Sequence, residues 1–219
     1  MTHYVEMMIT IKSKYRFLVA PVLIILSLLS FTASISRHEQ TESVGISESM
    51  IDFRDGDIIF RRGVSLVSNF VVSIDTASIY SHVGIICKKG SHVFVIHILP
   101  DDEKGKNDVV QMQPVSDFLS PDNACGFTIY RLIDGQGNKP EKAAGYAQSF
   151  YEGKVHYDYD LDYASQQNLY CTELVWQAYK MAGIDLIDGK YEGVKFPFYQ
   201  GRYIMISSLL KSHWLYKIK

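Results

Sequence analysis

Two short apolar runs around a polar loop constrain this chain more than any other feature. Ser81-His82-Val83-Gly84-Ile85-Ile86-Cys87 and His92-Val93-Phe94-Val95-Ile96-His97 flank Lys88-Lys89-Gly90-Ser91. Both runs are rich in β-branched residues and the loop holds a glycine, so the segment reads as a β-hairpin. A two-residue turn at Lys89-Gly90, or a four-residue loop from Lys88 to Ser91, gives the same register, with His82 directly opposite His97. Strand alternation then puts both imidazoles on one face with Gly84, Ile86, Val93 and Val95, and turns His92 to the other. Gly84, beside His82, leaves room for a helix N-terminus to come close.

Such a helix is written downstream. Cys171, Leu174, Val175, Ala178, Tyr179 and Ala182 recur at spacings of three and four and form one apolar face, and Gly183 supplies the stop. The thiol therefore falls in the first turn, on the buried side. A thiol attacks only as thiolate, and the unpaired N–H groups and partial positive charge of a first turn favour the anion. A base is still needed. Two imidazoles side by side, one to take the proton and one to orient it, meet that need. The same two His and one Cys could also hold zinc with an open position, but no HExxH or paired-Cys spacing supports it.

Further strands are expected over Asp57–Phe60, Val109–Gln113 and Phe127–Leu132, with the second hairpin strand running on to Ile98. Helices are expected from about Val64 to Ile74 and from about Pro140 to Tyr151, the latter with proline in its first turn and Gly153 just past its end. Strands and helices do not alternate regularly, which argues for an α+β arrangement built on one antiparallel sheet. His92, His156 and His213 read as surface or structural, and Glu173, off the apolar helix face, as solvated.

With 22 basic and 24 acidic residues and no long cationic run, the chain offers no surface for nucleic acid. Its 47% hydrophobic and 13% aromatic content suits a globular fold. The N-terminus differs. Lys12, Lys14 and Arg16 precede an uncharged apolar stretch from Phe17 to Ile35 that ends in small residues, the layout of an export signal over residues 1–36, with a membrane anchor through 17–35 as the alternative. A polar linker follows over 37–50, and one domain is expected from 51 to 219. Three cysteines, Cys87, Cys125 and Cys171, leave at least one thiol unpaired in an exported chain. Cys87, ending an apolar strand, reads as a buried small hydrophobe.

The order Gly56-Asp57-Ile58-Ile59-Phe60, Ser81-His82-Val83-Gly84-Ile85, Val95-Ile96-His97, Tyr157-Asp158 and Tyr170-Cys171-Thr172-Glu173-Leu174-Val175 closely resembles the YiiX/YebB-like group of NlpC-type cysteine hydrolases. The resemblance implies a circularly permuted papain-like fold, in which the histidine strand precedes the cysteine helix. It makes Cys171 the nucleophile, His82 the base and His97 the third polar residue. Many members of the permuted branch carry Glu at this third position, whereas unpermuted relatives carry His. Asp57 and Asp158 match recurrent positions and are expected to be structural. Tyrosines 157, 159, 163 and 170 crowd the approach to Cys171, and Tyr157 and Tyr170 are the candidates for substrate contact. The resemblance implies acyl transfer without metal or organic cofactor. The partner expected is a small peptide, amino-acyl or lipid substrate, with no nucleic acid. An amide of a cell-envelope peptide, cut in the periplasm or outside the cell, is the expected substrate. A lipid acyl amide or ester, as in enzymes resembling lecithin:retinol acyltransferase, is the alternative, and a non-catalytic binding module on the same fold is a third.

Overall fold

The computed structural model describes residues 51–100, 108–160, 167–196 and 199–219, with 192–202 described mostly by backbone. The export segment expected over 1–36, the linker over 37–50 and Tyr163 lie outside the described residues.

Six strands form one antiparallel sheet: β1 (Ile58–Arg62), β2 (His82–Lys89), β3 (His92–His97), β4 (Gln111–Pro114), β5 (Gly126–Leu132) and β8 (Leu215–Lys217), in the spatial order β4-β3-β2-β1-β5-β8. A separate hairpin, β6 (Glu192–Phe196) and β7 (Tyr199–Tyr203), was not expected from the sequence. The helices are α1 (Leu66–Ile74), α2 (Val115–Phe118), α3 (Lys139–Glu152), α4 (Cys171–Met181) and α5 (Ile206–Leu210). The α+β class, the antiparallel sheet and the helix opening on Cys171 are all as expected.

The central strands are apolar at both parities because both sheet faces are covered. On one face Ile58, Phe60, Val83, Ile85 and Cys87 pack with Leu174, Val175, Ala178 and Tyr179 of α4 and with Ala143 and Ala147 of α3. Those alanines let α3 lie close to α4. On the other face Ile59, Ile86, Val95 and Ile129 pack with Val115 and Phe118 of α2. Thus the apolar period of the helix and the alternation of the strands meet in the first core, while a single turn of helix closes the second.

The hairpin register differs from the expected one. Lys89 pairs with His92 and Ile85 with Ile96, so the turn is Gly90-Ser91 and not Lys89-Gly90. Gly90 has φ +62°, which suits the first position of a two-residue turn of the II′ kind. The slip is two residues, so every side chain keeps its face. His97 now stands across from Gly84, and His82 lies on the diagonal. Room beside Gly84 is used differently too: a Cβ there would meet Val95 Cγ1 at 2.4 Å and His97 Cβ at 3.1 Å, so the space serves β3 and not a helix. The strand expected at Val109–Gln113 starts at Gln111, because Val109 forms only an isolated bridge to His156.

Candidate active site

A chain of three polar side chains crosses the end of the sheet. His82 opens β2, His97 closes β3 and Gln113 lies in β4. Gly84 lets the His97 ring lean toward His82, and His82 Nε2 and His97 Nδ1 stand 3.0 Å apart. His97 Nε2 is 3.0 Å from Gln113 Oε1. An amide oxygen only accepts, so His97 Nε2–H donates to Gln113. In a neutral ring His97 Nδ1 then accepts, and His82 Nε2–H donates to it. The lone pair is thereby placed on His82 Nδ1, the nitrogen that a general base must present. Both rings are neutral: burial, and next the Arg61 guanidinium, hold His82 well below its ordinary pKa and push His97 down to about 3.

Arg61 is the residue that sequence reasoning missed. It pairs with His82 across β1 and β2 and is buried. Its Nη1–H donates to the Phe118 carbonyl at 2.7 Å, its guanidinium carbon sits 4.3 Å from the Phe118 ring centroid, and its Nε has no partner among the described residues. Burial pulls its pKa down to about 10. The signal was available: Arg61 has the parity of Ile59, which points into the α2-side core. The Phe118 ring backs the whole cluster, 5.7 Å from His82 and 5.1 Å from His97.

Cys171 comes to the same sheet end from the α4 side. Tyr170, the N-cap, is extended and makes no side-chain cap, which leaves first-turn N–H groups unclaimed by it. The backbone N–H groups of Val83, Thr172 and Cys171 favour the anion of the thiol, as does the charge of Arg61. Burial outweighs them and pushes the thiol up to about 11. The sequence places the imidazoles on the face that meets the cysteine helix; instead they lie on the Phe118 face of β2, whereas α4 packs on the Val83 face. Cys171 therefore touches the strand at the residue after His82. No hydrogen bond among the described residues joins the thiol to either ring.

The remaining candidates sort by partner. Tyr157 and Tyr170 both line the cavity at Cys171. Burial raises both phenols above their ordinary range, and the Tyr170 hydroxyl accepts the Ile204 N–H at 3.0 Å. Thr172 Oγ1 donates to the Ile204 carbonyl at 2.6 Å, so both neighbours of the thiol hold the same cavity wall. Asp57 accepts the Arg54 N–H and two hydrogen bonds from Arg131, a structural role. Asp158 is buried and accepts the Asp160 N–H. Glu173, expected to be solvated, is buried in the first turn of α4. Its position off the apolar face did not foretell this, because α4 is covered on more than one side. All three cysteines are free, and Cys87 is buried as expected. His92, His156 and His213 are exposed.

The cavity has a volume of about 300 Å³. Val67, Phe70, Val71 and Ile74 of α1 form one wall and Ile204 and Ile206 the other, with Asp75 and Ser81 among the few polar contributors.

No curated protein matches the chain. Among solved structures it is similar to the crystal structure of metalloprotein yiiX from Escherichia coli O157:H7, with a TM-score of 0.61 and 18% sequence identity over 76% of this chain and 96% of that one. At that identity the likeness speaks for the fold. The family described as permuted papain-like amidase enzyme, YaeF/YiiX, C92 family, matches residues 52–195, a span that holds His82, His97, Gln113 and Cys171. By that match over most of its length, the chain belongs to this family of permuted papain-like cysteine amidases.

Proposed function

We propose that the enzyme cleaves the amide between a fatty-acyl chain and a polar amine, outside the cytoplasm, through an acyl-enzyme on Cys171. The observation that carries this reading is the nearly unbroken apolar wall beside the thiol, drawn from α1 and from Ile204 and Ile206. The sequence favoured a cell-envelope peptide. Its amides and charges would lie unpaired against such a wall, at about 1–3 kcal/mol for each group. An acyl chain gains from the same burial. Action outside the cytoplasm rests on the basic, apolar and small-residue order of residues 12–36.

In this reading His82 Nδ1 takes the thiol proton around the end of β2, which Cys171 reaches from the other face, as Cys171 Sγ bonds to the carbonyl carbon. Thiol and imidazoles are neutral at rest, so proton transfer accompanies attack and no standing ion pair is needed. The N–H groups around the sulfur favour the developing oxyanion. His82 then returns the proton to the departing amine. Water adds to the thioester with His82 again as base, releasing the fatty acid and restoring the thiol. His97 and Gln113 hold His82 in the required tautomer. The similar yiiX protein is described as a metalloprotein. Here His82 and His97 turn facing nitrogens on each other, and no group of three His, Cys, Asp or Glu among the described residues could hold a metal. That donor set does not fit a metal, and no step passes through one.

The test is a mass-spectrometric digest of N-acyl amino-acid amides of graded chain length and of cell-wall peptides, with Cys171→Ser as the blank. Rising kcat/KM with chain length is expected. Release of wall-peptide fragments with the acyl amides untouched would overturn the substrate, and no turnover of either would favour a binding module. Fractionation of cells, with the chain recovered in the cytoplasm, would overturn export.

A further inference from the structure

Helix α1 has the sequence LVSNFVVSI, without a charge, and none of its residues is buried. Leu66 is 87% exposed, Val67 58% and Phe70 61%, and Val64 (50%) and Ile79 (68%) flank them in sequence. Single exposed apolar side chains are ordinary; five in one stretch of chain are not. Nothing in the fold requires them. The helix is held by Val71, which packs against the core, and by polar contacts: Ser65 caps its start, Arg62 donates to the Ser68 carbonyl and Asn69 Oδ1, and Asp75 at its end accepts the Ser207 N–H.

Val67 and Phe70 are both exposed outward and part of the cavity wall that leads to Cys171. Ridge and cavity mouth are thus one continuous apolar surface. We propose that α1, with Val64 and Ile79, is the surface by which the enzyme docks on a phospholipid bilayer, so that the mouth of the cavity opens into the acyl region. The proposal rests on the acyl-amide reading above. A bilayer is the partner chosen because it supplies both an apolar plane for the ridge and acyl chains for the cavity. The polar residues of the helix, Ser68, Asn69 and Ser73, are small and uncharged. Docking is therefore apolar in origin, needs no anionic lipid and resists salt.

The test uses the full chain carrying Cys171→Ser, so that binding is read without turnover. Fluorescence added by Leu66→Trp, a position outside the cavity, is compared with that of the parent, which has Trp176 and Trp214. Vesicles of phosphatidylcholine with brominated acyl chains should shift the added emission to the blue and quench it, equally at low and high salt. Co-sedimentation with an unquenched, water-like added emission would place membrane contact elsewhere and overturn the proposal. So would absence of vesicle binding, or a blue shift that grows with protein concentration without vesicles, the mark of a second copy covering the helix. In the active enzyme, Leu66→Ser with Ile79→Ser should slow vesicle-borne substrate roughly tenfold or more, and leave a soluble short-acyl amide unaffected. Quenching with no acyl-amide turnover would sink the proposed function alone; turnover without quenching would sink the docking surface alone.

Discussion

At one end of β1, Asp57 meets Arg131 through two hydrogen bonds of 2.7 and 2.8 Å; at the other, Arg61 is buried with one N–H on a carbonyl, its Nε on nothing among the described residues and two imidazoles beside it. The first charge is matched by an opposite charge in forked geometry, which fixes a turn. Among the described residues the second is matched by no carboxylate. Its guanidinium is desolvated enough to lower its pKa, and its field falls on His82, His97 and Cys171. A satisfied buried ion specifies structure, whereas one left short of partners costs stability and does something else. Here it adds to burial in keeping two imidazoles unprotonated, and it favours an anion at sulfur.

The comparison breaks most sharply at His82. His82→Ala should lower kcat/KM roughly a thousandfold, with the melting transition close to that of the parent; activity retained with a lowered melt would reverse the assignment of the two ends. Next in size is Asp57→Asn, expected to cost about 3–5 kcal/mol of stability in urea unfolding while the folded fraction keeps its kcat/KM. A third effect is set by pH. Unfolded histidine takes up protons near 6.5, while the folded rings stay neutral far below that value. Stability is therefore full above pH 6.5 and falls as the pH drops toward about 3 for His97. The slope should approach about 1.4 kcal/mol per pH unit for each ring, read from urea midpoints along a pH series. Smallest is Arg61→Met. Replacing the lone cation by an apolar side chain should change stability by no more than about 1 kcal/mol. The histidine pKa values should rise without it, and so should that of the thiol. Cys171 alkylation near neutral pH should then slow roughly tenfold, and the acid limb of kcat/KM should move upward in pH.

What the sequence revealed here depended on period. The 3.6-residue pattern from Cys171 located that thiol at a helix start, and alternation put His82 and His97 on one face. Alternation is blind to a slip of two, so the turn was misplaced; Gly90 followed by Ser91 was the cue, since glycine leads a II′ turn. Gln113 lay beyond reach because it depends on the β3–β4 register, and the connection between those strands is too long for its sequence to fix that register. Arg61 was hidden by the apolar strand around it, although its inward parity marked it. The exposed face of α1 was hidden because apolar residues lie on more than one side of the helix, and only tertiary contacts decide which of them remain uncovered.

The two walls of the cavity have different freedom to vary. Tyr170 and Thr172, on either side of the nucleophile, both grip Ile204, so a change in that wall moves the sulfur. The nine residues of α1 bury no side chain, and exchanges on such a surface usually alter stability by no more than about half a kcal/mol. Substrate preference can therefore drift by changes in one short helix while the reaction machinery stays fixed. Under the proposed acyl-amide activity, relatives within the family should vary most at positions equivalent to Val67, Phe70, Val71 and Ile74.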